Sequence, residues 1–130
     1  MTAFLDTNVL IYAQGGEDKG DVARQTILAG GVISVQVLNE FAAVLRRKFG
    51  FEWDVIADAV ADVRAALDPV RSIDVATHVE ALSIARSHGF SFYDSLIVAS
   101  ALEAGCDRLL TEDLQAGQRI GGLVVANPFA

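Results

Sequence analysis

Ala3-Phe4-Leu5-Asp6-Thr7-Asn8-Val9-Leu10-Ile11-Tyr12-Ala13 is the stretch that decides the fold. A short apolar run stops at an acid, and a second apolar run starts directly behind it. The first run reads as a buried strand, the second as a helix or helical turn. Asp6 then stands at the carboxyl end of a strand. In an open α/β sheet, ligands bind in the crevice outside those ends. Asp is also a common cap of the helix that follows, and this stretch alone leaves both roles open.

The pattern repeats along the chain. Gly15 and Gly16 end the first helical stretch, and a second helix is expected from about Glu17 to Ala29, before Gly30-Gly31. Val32-Ile33-Ser34 is a β-branched run read as a strand. A helix follows, with Val37, Leu38, Phe41, Val44 and Leu45 on one stripe. It ends in Arg46-Arg47-Lys48, cations suited to the negative end of a helix. Trp53 to Leu67 reads as another amphipathic helix, broken by Asp68-Pro69. Val70 to Ile73 is a weaker strand. Asp74 or Thr77 opens a helix through Arg86, and Ser91 caps the next, which runs to Ala104. Arg108-Leu109-Leu110 and Leu123-Val124-Val125 are strands, with loop from Thr111 to Gly122. Strands alternating with helices imply a mostly parallel sheet of four to five strands between two helical layers.

Composition sets the bounds. The 130 residues fit a single domain, 1–130, able to bury a core without staples. With 52% hydrophobic residues the chain is not disordered. The lone cysteine, Cys106, has no internal disulfide partner, which suits a reducing cytoplasm. No apolar run approaches the roughly 20 residues of a membrane span, and Asp6 interrupts the N-terminal run where a signal peptide stays apolar. A net charge of −7 argues against a broad basic surface for nucleic acid. It leaves open an enzyme whose acids gather in one metal pocket, because a bound cation reverses the local field.

Four acids fall in the same kind of place. Asp6 and Asp113 follow strand ends, and Glu40 lies early in the helix after Val32-Ile33-Ser34. Asp94 is three residues past the cap Ser91, at a helix start that points to the same edge of a βαβ unit. Each has a structural reading. Glu40 is a rim acid near a helix start, Asp94 completes a capping-box pattern, and Asp113 builds a turn. Asp94, however, shares a face with Ile97, Val98 and Ala101 on a helix that is apolar nearly all round, and an acid there needs a partner, a shifted pKa or a metal. None of the four has a Lys or Arg within four residues in sequence. Two like charges about 4 Å apart repel by roughly 4 kcal/mol at an effective dielectric near 20. A hard divalent cation answers such a cluster. Oxygen ligands without nearby His or Cys select Mg²⁺ or Mn²⁺ over zinc. That cation suits phosphodiester hydrolysis, with Asn8 and Thr111 as donors that orient the carboxylates.

In this order, Phe4-Leu5-Asp6-Thr7-Asn8-Val9-Leu10, Asn39-Glu40-Phe41, Tyr93-Asp94-Ser95-Leu96-Ile97-Val98-Ala99 and Leu110-Thr111-Glu112-Asp113 resemble the PIN domain family, and within it the small toxin nucleases of the VapC type. Asn127-Pro128-Phe129 resembles the usual ending. The resemblance implies a three-layer α/β/α fold and a Mg²⁺- or Mn²⁺-dependent endoribonuclease, the toxin of a toxin–antitoxin pair. It also implies a homodimer neutralised by a cognate antitoxin. By the same resemblance Asp6, Glu40, Asp94 and Asp113 are the catalytic acids and metal ligands, with Asn8 and Thr111 as polar support. The fourth acid is the most variable in the family, so Glu112 stands as an alternative to Asp113.

Other classes fit less well. A non-catalytic PIN-like binding module is expected to lack one of the acids, and all four are present. Receiver domains need a Lys after a late strand, and the chain's lysines, Lys19 and Lys48, lie elsewhere. Dehalogenase-type phosphatases need a second Asp where Asn8 stands, and no G-x-G-x-x-G follows the first strand. Arg46, Arg47 and Lys48 suit a helix end first, and RNA or antitoxin contact second. Phe49, Phe51 and Trp53 suit either the core or an antitoxin groove. Tyr93 suits packing first and base stacking second. His78 and His88 read as solvated helix residues, and Cys106 as a small core residue.

Overall fold

The computed structural model describes residues 2–130. β1 (Ala3–Leu5) leads into α1 (Thr7–Tyr12), α2 (Asp18–Leu28), α3 (Val35–Arg47), α4 (Trp53–Ala66), α5 (Val75–His88) and α6 (Phe92–Glu103). The chain returns through β2 (Arg108–Leu110), β3 (Arg119–Ile120) and β4 (Leu123–Ala126). The sheet order is β1-β2-β4-β3, with β1, β2 and β4 parallel and β3 antiparallel to β4. This is the mixed α/β architecture that the alternation implied.

Successive strand residues face opposite sides of a sheet. Ala3, Phe4 and Leu5 are all buried, as are Leu109 and Leu110, so the central pair is covered on both faces. Phe4, Leu5, Leu10, Ile33, Phe41, Leu45, Ile97, Leu109 and Leu123 lie fully inside. Each such side chain stabilises the fold by about 1.5–3 kcal/mol relative to exposure. In α6 every residue from Ser95 to Ala101 is buried, as its nearly all-apolar sequence requires.

The helix ends follow local chemistry. Asp74 caps α5 through a full capping box with Thr77, and Gly89 closes it in the left-handed region at φ 73°. Ser91 caps α6, its hydroxyl accepting from the Asp94 N–H at 3.1 Å. At the end of α3, Arg46 donates to the Phe51 carbonyl at 2.9 Å and lies over the Trp53 ring at 5.0 Å.

Three expectations need correction. Val32-Ile33-Ser34 and Val70 to Ile73 are not full strands. They extend the sheet beyond β1 by single parallel bridges, Phe4 to Val32 and Ser34 to Arg71. α3 starts at Val35, directly behind the first of these runs, and leaves no room for a longer ladder. The span Thr111 to Gly122 is not all loop. Arg119–Ile120 pairs with β4 through the turn Gly121-Gly122, with Gly121 at φ 60°. Two glycines between apolar residues were the available signal. Among the described residues no helix is long and apolar enough to cross a membrane.

Candidate active site

Strand register builds the site. Leu5 pairs with Leu110, so the next residues, Asp6 and Thr111, meet at the carboxyl edge of the parallel pair. The ladder continues one step, with the Asp6 N–H donating to the Leu110 carbonyl at 3.0 Å. α3 starts at that edge, and α6, which runs back toward β2, presents its N-terminus there.

Asp6 is 4% exposed. One carboxylate oxygen accepts from the Thr7 N–H at 2.6 Å, as a helix cap does. The other accepts from the Thr111 hydroxyl at 2.7 Å. Burial pushes its pKa from 3.8 to about 7. The Thr111 and Thr7 hydrogen bonds pull it down, and the Glu40 and Asp113 charges push it further up.

Two threonines join the acids. Thr7 donates its peptide N–H to Asp6 and its hydroxyl to Glu40 at 2.7 Å. The Gln36 amide donates to the other Glu40 oxygen at 3.0 Å, across one turn of α3. Thr111 donates to Asp6 and accepts from the Asn8 amide at 3.2 Å and the Asp113 N–H at 3.0 Å. Asn8 also donates to the Asp113 carboxylate at 3.1 Å. Asp113 is exposed. Asp94 is half-buried, and its peptide N–H donates to the Ser91 hydroxyl. Burial raises its pKa, Ser91 lowers it, and the Asp113 charge raises it again. Asp6, Glu40 and Asp113 are thus joined through Thr7, Thr111 and Asn8, and the Asp113 charge reaches Asp94.

Glu112 turns the other way. Its carboxylate accepts from the Tyr12 hydroxyl and from Lys19 Nζ at 3.0 Å. The Tyr12 hydrogen bond, with Lys19 behind it, holds that carboxyl below its ordinary range. Lys19 also lies over the Tyr12 ring at 4.7 Å, and Phe129 meets Tyr12 edge-on at 4.9 Å. Sequence reading places Thr7 beside Asn8 to start the helix and steady the site, but did not foresee its bond to Glu40 or the role of Gln36. The i, i+4 spacing of Gln36 and Glu40 was a usable signal, whereas the Thr7–Glu40 bond depends on packing.

Charge and donor type fit a hard divalent cation. The acids are all oxygen donors, the Glu40 and Asp113 charges push up the Asp6 pKa and the Asp113 charge that of Asp94, and no Lys, Arg or His pairs with any of the four among the described residues. The Asn8 side-chain oxygen is buried there without a partner. Among the described residues no three acids stand close enough to enclose an ion by themselves. That agrees with Mg²⁺, which keeps several waters and takes one or two carboxylates plus substrate phosphate oxygens.

A cleft of about 800 Å³ opens beside the acids, with Glu40 and Asp113 in its wall. Asp6 lies behind them, beneath Thr7 and Thr111. Arg47, Lys48, Phe49 and Tyr93 line the same cleft. Phe49 and Trp53 are 51% and 60% exposed, so of the aromatic trio only Phe51 leans on the core.

The family model of the PIN domain matches residues 3–119. The chain belongs to the PIN domain family. Solved structures with this PIN fold include toxins of VapBC systems. The Mycobacterium tuberculosis toxin VapC20, described as sarcin–ricin loop cleaving, is 21% identical with a TM-score of 0.68, over 86% of this chain and 90% of that one. VapBC2 from Rickettsia felis, bound to a DNA fragment from its promoter, is 18% identical with a TM-score of 0.69, over 98% of each chain. DNA-bound VapBC from Salmonella typhimurium is 19% identical with a TM-score of 0.71, again over 98% of each. No curated protein matches the sequence.

Proposed function

We propose that this PIN domain is a Mg²⁺- or Mn²⁺-dependent endoribonuclease, the toxin of a toxin–antitoxin pair in the cytoplasm. The observation that carries the reading is the edge where Asp6, Glu40 and Asp113 are joined by hydroxyl and amide donors, with the Asp113 charge reaching Asp94 and no cationic side chain paired to any of the four among the described residues. The likeness to VapC toxins, one described as a sarcin–ricin loop cleaving toxin, supports the choice of RNA.

The cation supplies charge neutralisation at the phosphoryl group and a water of lowered pKa. Asp6, Asp94, Asp113 and Glu40 would hold it. Thr111 and Thr7 keep Asp6 in one orientation, so its position is set before substrate arrives. Gln36 and Thr7 do the same for Glu40, and Asn8 for Asp113. In-line attack of water on the scissile phosphate leaves, by family analogy, a 5′-phosphate and a 3′-hydroxyl. Glu112 is engaged with Tyr12 and Lys19 and is not assigned to the cation.

An antitoxin would cover the exposed apolar side chains Phe49, Trp53 and Val55. A homodimer has an apolar stripe available at Val75, Val79 and Leu82 of α5, all more than half exposed. The test of the central reading is cleavage of RNA by the purified chain with Mg²⁺ or Mn²⁺. Asp6→Asn and Asp94→Asn should each abolish cleavage while circular dichroism stays native. Cleavage that persists unchanged in both variants, from preparations free of other nucleases, would remove the acids from the reaction.

A further inference from the structure

We propose that the cleft holds single-stranded RNA by two devices: Tyr93 stacks a base next to the cut, and Arg47 and Lys48 anchor a phosphate other than the one that is cut. This rests on the nuclease reading and specifies how its substrate is gripped.

The geometry comes from α3 and α6. Glu40, Val44 and Arg47 follow at helical spacing on one face of α3, and all three line the cleft. At 1.5 Å per residue, Arg47 lies roughly 10 Å along the helix from Glu40. The cleft is therefore acidic at one end and basic at the other, in a chain whose net charge is −7. Arg47 and Lys48 make no ion pair among the described residues, whereas Arg46 beside them is committed to the Phe51 carbonyl and the Trp53 ring. Two free cations beyond a cluster of acids are placed to meet an anion that extends past the reacting centre.

Tyr93 supplies the other device. It sits on α6 immediately before Asp94 and is 61% exposed. Its hydroxyl makes no hydrogen bond among the described residues, and its ring touches Phe92 edge to face at 5.9 Å. An aromatic face is left open beside an acid of the site. A cationic track with open aromatic faces is how single strands are held without base-edge readout. A duplex keeps its base faces stacked inside and offers none to Tyr93. An acidic protein segment would use the two cations but has no need of a ring beside Asp94.

The test is equilibrium binding of the full chain carrying Asp6→Asn, so that RNA is bound and not cut. The probe is a short single-stranded RNA containing fluorescent 2-aminopurine. Tyr93→Ala should weaken binding about tenfold and abolish quenching of the probe, and Tyr93→Phe should keep both. Arg47→Ala and Lys48→Ala should each weaken binding and lower the slope of log K against log salt by about 1. The same sequence as a duplex should bind more weakly than the single strand and be indifferent to Tyr93→Ala. Wild-type affinity in Tyr93→Ala, or preference for the duplex, overturns the stacking role. An unchanged salt slope in Arg47→Ala and Lys48→Ala overturns the phosphate anchor. Should those variants lose only an acidic peptide and keep RNA, the cations belong to a protein partner and the inference fails. Absence of RNA cleavage by the wild type would refute the nuclease reading itself, whereas cleavage with unaltered binding in the variants would refute only this inference.

Discussion

Replacing Asp6 by Asn should make the metal-free protein more stable at high pH and less stable at low pH. The Asp6 carboxyl is buried, and its pKa rises from 3.8 to about 7 on folding. Between those values the folded chain binds more protons than the unfolded one, so stability falls as pH rises through the window. At about 1.36 kcal/mol per tenfold change, the whole window is worth about 4 kcal/mol. The Asp6→Asn variant has no such slope but brings its own cost. The Thr111 hydroxyl already accepts from Asn8 and Asp113 and gives its proton to Asp6. An amide at position 6 would set its NH₂ against either the Thr111 hydroxyl or the Thr7 N–H, each of which donates to Asp6, and leave that donor without its acceptor. Leaving such a buried group unsatisfied costs about 1–3 kcal/mol. Wild type should therefore be the more stable protein at pH 4 and the less stable at pH 8, with the curves crossing between. Urea unfolding of both proteins in chelator across that range measures the difference directly, and titration of carboxylates common to both cancels. Millimolar Mg²⁺ or Mn²⁺ at pH 8 should then raise the stability of wild type and leave the variant unchanged. Stability curves that run parallel from pH 4 to pH 8 would refute the claim that burial holds this carboxyl protonated.

Thr111→Val keeps the shape of the side chain and removes three hydrogen bonds, those to Asp6, Asn8 and Asp113. It should destabilise the fold by about 1–3 kcal/mol and raise the Mg²⁺ concentration needed for half-maximal cleavage, read from urea midpoints and metal titrations. Glu112→Gln keeps an acceptor for Tyr12 and Lys19 and removes a charge. Its metal requirement for cleavage should match wild type, and a large rise in that requirement would transfer the fourth-acid role from Asp113 to Glu112.

Much of the site is legible in the sequence because it is built from local patterns repeated at one kind of place. Asp6 was ambiguous between cap and ligand, and the structure shows the cap, with one oxygen on the Thr7 N–H and the other on the Thr111 hydroxyl. The Ser91 cap and the half-buried Asp94 were likewise both readable, since the cap is made through the Asp94 backbone N–H. The choice between Asp113 and Glu112 was not readable. Neighbouring side chains in an irregular turn have no period that assigns them to a side, and here a cation from α2 draws Glu112 away.

The order of acids, caps and apolar runs was enough to establish the α/β class, the helix ends and the edge at which the acids gather, because these depend on residues close together in the chain. Only the tertiary structure decided that Thr111 meets Asp6 and that Thr7 bridges to Glu40. It also decided that two apolar runs make single bridges in place of strands. Those outcomes depend on strand register and on how helices seat against the sheet, where contacts across 33 and 105 residues of chain set the hydrogen bonds. Burial does the rest. The composition around Asp6 carries no sign that the residue is 4% exposed, and it is burial, not the neighbouring charges, that does most to raise its pKa.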